Sequence, residues 1–182
     1  DGSALRQVLL QALLLGGVLA LALSLLMRLL SAPILELMQP SAQLDELARS
    51  YLHIRLLGLP AALASYALVG WFLGTQNARG PLLIMLGTNL LNAALALLFV
   101  LGLGWEVAGA AWASVLAEWS GALLGLWLAR QALKSQAGRI DWMALRLWLN
   151  WRPLLAVNRD IFIRTMALQA AFFLVTVQGT RL

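Results

Sequence analysis

Residues Pro81 to Leu103 read PLLIMLGTNLLNAALALLFVLGL, a run without one formal charge. As a helix rising about 1.5 Å per residue, it is roughly 34 Å long and spans a hydrocarbon core of roughly 30 Å. Arg79 stands just before it and Glu106 just after. Inside it, Asn89 and Asn92 are three residues apart and so share one side of a helix. An apolar span with an amide-bearing stripe is disfavoured against lipid all round; it asks for neighbouring helices, a wet cavity, or both.

The rest of the chain fits that reading. It is 62% hydrophobic and 12% charged, with a mean hydropathy of +0.83, where soluble domains carry about a quarter charged residues. A soluble fold would have to hide several charge-free runs of about 20 residues, and a transmembrane barrel would show short alternating segments instead. The expected class is all-α, a polytopic membrane helix bundle. The net charge of +5 lies mostly in links between apolar runs, where it orients a chain in the bilayer rather than binding nucleic acid. The chain has no cysteine and one histidine, His53, so disulfides and thiolate chemistry are excluded and His53 lacks companions for a metal site. It reads as an interfacial or capping residue. No phosphate-cradling glycine loop, paired carboxylates or nucleophile–base signature appears, which excludes an ATP-driven pump and a conventional hydrolase.

Four spans are expected, at about 8–30, 52–74, 81–103 and 107–129. The first carries Gly16, Ala20 and Ser24 at i+4 spacing, small residues that let helices approach closely, and ends near Arg28, which can snorkel to the interface. Ser31–Arg49 reads as a loop with Pro33, Pro40 and the acids Glu36, Asp45 and Glu46; Pro33–Gln39 is a continued or broken helix near the interface, and Ser41 a cap. Arg55 is expected to reach back to these acids. Gly58 and Pro60 predict a kink in the second span, either part of an alternating-access motion or a static bend. Ser65 and Tyr66 follow near mid-depth as candidate cavity residues, and Trp71 marks the far interface. In the fourth span Ala113, Ala117, Gly121 and Gly125 form one i+4 packing line. Glu118 lies beside it as the only carboxylate well inside a span. It is either a proton- or cation-binding acid or a hydrogen-bonded packing residue. Asn89 and Asn92 likewise either line a cavity or bond between helices.

Residues 130–160 are basic, and Ile140–Trp151 reads as an amphipathic helix in the headgroups with Asp141 as its cap. Ile161–Val177 begins a fifth crossing, and Asp160 can pair with Arg164 at i+4 at the cytoplasmic entrance. Arg6, Arg79, Arg130, Lys134, Arg139, Arg146, Arg152 and Arg159 fall on one side, against Arg28, Arg49, Arg55 and Arg181 on the other. The positive-inside rule puts the first group in the cytoplasm. The chain starts at Asp1 and stops at Leu182 just past an apolar run, and so reads as a segment of a longer protein.

The pattern Ile54-Arg55-x4-Pro60, Gly70-Trp71-x-Leu73-Gly74-x-Gln76-x-Ala78-Arg79-x-Pro81, Asn89-x2-Asn92, Val107-x-Gly109-Ala110-Ala111, Glu118 and Asn158-Arg159-Asp160-Ile161 resembles the multidrug and toxic compound extrusion (MATE) family, and within it the bacterial DinF-like branch. The resemblance implies part of a twelve-helix, two-lobed transporter of the bacterial cytoplasmic (inner) membrane. It exports cationic or amphiphilic small molecules in exchange for protons or sodium ions, with no other cofactor. Residues 1–129 would then be a partial first lobe (helices three to six), 130–160 a cytoplasmic lobe linker, and 161–182 the start of the second lobe. The chain's partners would be the lipid bilayer and the remaining helices of the same protein. Relatives carry an aspartate four residues after the asparagine matching Asn92, where this chain has Ala96, and an asparagine where it has Ser65. Charge coupling would then rest on a helix outside this chain, on Glu118, or on the second lobe. Two other readings stay open: a flippase for lipid-linked precursors, which would need a more basic cavity, and a membrane scaffold that transports nothing.

Overall fold

The computed structural model describes residues 2–38, 41–143, 145, 151–152, 155–156, 159 and 163–170. Residues 1–139 and 140–182 form two compact units. The first holds four helices: α1 (Gly2–Met38), α2 (Ala42–Gly74), α3 (Arg79–Ala96) and α4 (Glu106–Lys134), with α3 prolonged by a π-helical turn over Leu97–Gly102. Each is long and apolar enough to cross a membrane, so the unit is an all-α polytopic membrane bundle.

The helices run past the expected spans: of the alternatives for Pro33–Gln39 the continued helix holds, through Met38, and most of the connection expected over Ser31–Arg49 is helical. α1 passes through Pro33 to Met38 and α2 begins at Ala42. Proline removes one amide donor, here the partner of the Leu29 carbonyl, and a helix with apolar flanks survives that single loss. Ser41 takes the N-cap position of α2 without a side-chain capping bond. Asp45, in the first turn of α2, favours that end of the helix, and its Oδ2 accepts from Arg49 Nε at 2.8 Å one turn later. Thus Arg49, not Arg55, answers the acidic cluster.

The α2–α3 link is four residues long. Gln76 adopts a left-handed φ of 59°, and Asn77 Oδ1 accepts from the amides of Arg79 (3.1 Å) and Gly80 (3.2 Å), closing the start of α3. At the other end of α3 the Leu103 amide donates to Leu98 O at 2.9 Å, five residues back. The Trp105 ring then stacks on Phe99 with centroids 5.1 Å apart. Gly104 makes the reversal at φ 68°, a conformation that costs glycine little.

α4 is the hub, packed on α2 and α3, while α1 packs on α2. Ala113, Ala117, Gly121 and Gly125 are all buried. A Cβ on Gly125 would meet the tips of Leu68 and Ile84 at 2.9 and 3.0 Å, and one on Gly121 would overlap Thr88 Oγ1. The densest apolar cluster joins Leu9, Leu68, Trp71, Phe72, Ile84, Ala129 and Leu133. Trp71 therefore belongs to the core rather than to an interfacial belt: it is buried, its indole donates to Leu5 O at 3.0 Å, and its ring meets Phe72 edge-on. Nearby, Arg6 Nη2 donates to Leu133 O (2.6 Å) and Gln136 O (2.7 Å), so the start of α1 caps the end of α4. The outer faces of α1 and α3 remain apolar and exposed, with Leu21, Leu25, Leu29, Leu82, Leu90 and Leu101 among them. Faces of this kind suit lipid or further helices.

In the second unit Asp141 Oδ1 accepts from the Met143 amide at 2.9 Å and Trp151 Nε1 donates to Leu145 O at 2.9 Å. The rest of the expected amphipathic helix over Ile140–Trp151 lies outside the described residues. Of the expected fifth crossing, residues 163–170 are helical and exposed.

Candidate functional site

Ser114 and Glu118 stand one turn apart on α4, about 6 Å along the axis, and each is met from a different neighbouring helix. From α3, the half-buried Asn92 donates through Nδ2 to Ser114 Oγ at 3.3 Å, and Ser114 Oγ donates to Ala110 O at 3.1 Å. From α2, Arg55 Nη2 donates to Glu118 Oε1 at 2.8 Å, with the two side chains 30% and 19% exposed. Three helices thus converge on one polar seam.

Gly58 makes the α2–α4 half of this seam possible. A Cβ there would overlap Glu118 Oε2 and lie 3.3 Å from Arg55 Nη1. Trp119, the next residue on α4, donates its indole N–H to Leu57 O at 3.0 Å. The turn before Pro60, which the proline leaves one bond short, is therefore tied to α4 twice. α2 is continuous through Pro60. Here Gly58 serves close approach.

The expected site residues divide. Asn92 and Glu118 meet partners on the seam, and Ser65 lies on the α2 stripe that carries Gly58, Ala61 and Leu68 at helical spacing. The Ser65 hydroxyl is buried with no hydrogen-bond partner among the described residues. Tyr66, one residue on, is 72% exposed, and Asn89 is exposed while Asn92 is not. Ala96 is the last residue of regular α3 before the π turn. Arg164 is exposed; its expected partner Asp160 lies outside the described residues.

Glu118 is not a lone charge. Its partner is Arg55, which the sequence reading sent to the acidic loop instead. The missed residues are Arg55 and Ser114. One signal for Arg55 was present: it and Glu118 are charges of opposite sign, each set in an apolar span. Ser114 had only its i+4 spacing to Glu118. Among the described residues no three His, Cys, Asp or Glu side chains cluster as metal ligands. Chemically the seam offers an amide, hydroxyls and a charge pair that sums to zero.

Comparison with known proteins places this bundle. The family described as MatE matches residues 2–98, over half of the chain. The chain belongs to the MatE family. It is 42% identical over 184 residues to DNA damage-inducible protein F of Escherichia coli (strain K12), a match that covers 98% of this chain and 39% of that protein. Protein DETOXIFICATION 45, chloroplastic, of Arabidopsis thaliana is 38% identical over 109 residues, 59% of this chain and 19% of its own length. Protein DETOXIFICATION 44, chloroplastic, of the same plant is 34% identical over 80 residues, covering 44% and 15%. No solved structure matches the chain significantly. The chain thus spans well under half the length of these curated relatives. It is a multi-pass protein of the bacterial inner membrane, and as a member of a transporter family it is not an enzyme.

Proposed function

We propose that the chain forms part of the first lobe of a secondary active antiporter. The whole protein would export cationic or amphiphilic compounds in exchange for protons or sodium ions by alternating access between two lobes. The match to the MatE family over residues 2–98 carries this reading. Asn92, Ser114 and the unpartnered hydroxyl of Ser65 supply polar lining, and Asn89 and Tyr66 line the side that further helices would close. Residues 130–160 form the cytoplasmic linker between lobes, with Asp160 and Arg164 at its entrance, and 161–182 begin the second lobe.

The ion pair argues for where coupling is not. A carboxylate bonded to a guanidinium at 2.8 Å forms a pair whose charges cancel and adds no net charge to a cavity. Glu118 is therefore assigned to joining α2 to α4, and the coupling acid to a helix outside residues 2–139. Arg55, engaged with Glu118, is also not a free cation for the pyrophosphate that a flippase of lipid-linked precursors would have to bind.

Everted vesicles carrying the full-length protein test this. An imposed proton or sodium gradient is expected to drive uptake of a fluorescent organic cation, and dissipating the gradient to stop it. Uptake indifferent to both gradients would reject antiport. The double variant Arg55→Gln/Glu118→Gln is expected to keep its gradient dependence; loss of that dependence with the protein still folded would make Glu118 the coupling acid.

A further inference from the structure

A narrow cleft opens between α1 and α2, away from the seam. Met27, Arg28 and Ser31 line it from α1, and Arg49, Leu52, His53 and Leu56 from α2. The residues from α2 fall at i, i+3, i+4 and i+7, one face of the helix, with Arg49 outermost and Leu56 innermost. On α1, Ser31 is outermost and Met27 innermost. The outer end of the cleft is therefore polar, at Arg49 and Ser31, and its inner end apolar, at Leu56 and Met27, with Leu52, His53 and Arg28 between. Leu23, one turn below Met27, is exposed and prolongs the apolar track.

Depth and charge both point to a lipid. Arg6 and Arg28 lie about 33 Å apart along α1, the thickness of a hydrocarbon core, so one marks each headgroup layer. Arg28 makes no ion pair with a described residue. Arg49 binds Asp45 through Nε, which leaves its two terminal nitrogens able to donate. No carboxylate is among the lining residues; Asp45 and Glu36 act on Arg49 from outside the lining. Two guanidiniums on one cleft, each with nitrogens able to donate, suit one phosphodiester.

We infer that this cleft binds an anionic glycerophospholipid of the leaflet opposite the Arg6 end. The phosphodiester sits on Arg28 and Arg49, His53 and Ser31 stand at the headgroup, and an acyl chain runs over Leu52, Leu56 and Met27. The apolar inner end selects a lipid over a soluble phosphate. The site is independent of the transported substrate and of the coupling ion.

Native mass spectrometry of the delipidated full-length protein, titrated with phosphatidylglycerol, tests it. One lipid is expected to be retained more tightly than the rest, and Arg28→Gln to weaken it by about fivefold, with Arg28→Lys recovering most of the loss. Arg130→Gln, remote from the cleft, is expected to leave it unchanged. Melting in phosphatidylcholine checks that each variant is folded. Equal retention by wild type and Arg28→Gln overturns the inference. So does equal competition by glycerol phosphate, which would mean a soluble-anion site. Absence of a tight lipid on the wild type also overturns it, and would mean that another helix of the protein covers the cleft.

Discussion

At Gly58 one hydrogen atom decides whether α2 and α4 can share an ion pair. Any Cβ would take the space of Glu118 Oε2, and Glu118 cannot retreat without leaving Arg55. Gly58→Ala is therefore expected to lower the stability of the full-length protein by about 1–3 kcal/mol, read as a fall in melting temperature in detergent. Gly17→Ala, where a Cβ meets nothing within 4 Å, serves as the contrast and should be neutral or slightly stabilising, since alanine is the better helix former. The charges make a second prediction. Glu118→Gln leaves Arg55 unmatched between helices, which costs about 3–5 kcal/mol for a fully buried pair and less here, where both side chains keep some exposure. Arg55→Gln/Glu118→Gln should recover most of that loss, because two neutral amides can bond to each other. Equal melting of the single and double variants would show that the pair contributes little. Glu118 was legible in the sequence as a charge inside a span, but its partner was not. Arg55 is 63 residues away on another helix, and the period of one helix carries no information on its register against a neighbour. The same gap separates Asn92 from Asn89: spacing put them on one side, and only the contact with Ser114 sets them apart.

Among the elements, α4 was the most readable. Small residues at i+4 mark a face meant for close contact, and that face is buried over its length. The outcome at Gly125 should be graded by size. Alanine meets only the flexible tips of Leu68 and Ile84 and is expected to cost under about 1 kcal/mol, whereas leucine forces the helices apart and should cost about 1–3 kcal/mol or more. Melting temperatures of the two variants measure this; equal values would mean that α4 does not depend on close approach there. The ends of elements were least readable. Pro33, Pro40 and three acids suggested a loop over Ser31–Arg49, yet the helices close over nearly all of it. A proline withdraws one donor, and a long apolar helix tolerates that loss. The π turn at Leu97–Gly102 left no mark in hydropathy at all, because it changes which carbonyl each amide finds rather than which residues are apolar.

For the whole molecule, the count of crossings fixes which groups share a compartment. Three helices, α2, α3 and α4, separate Ala42 from Ser135. An odd number of crossings is expected to put those positions on opposite faces of the membrane, and the positive-inside rule predicts that the Ser135 side is the cytoplasmic one. The chain has no cysteine, so a thiol introduced at either position is the only one it contributes. In intact cells an impermeant maleimide is expected to label Ala42→Cys, and Ser135→Cys only after the membrane is opened. Labelling of both from outside would mean that one helix does not cross. α3 is the least packed of the three in this unit: its most apolar window is 6% buried, against 28% for α2 and 39% for α4. A helix held so little by its neighbours owes its place to lipid or to further helices. A failed crossing there would also undo the Asn92–Ser114 contact, so the same labelling decides whether α3 can contribute to a transport pathway.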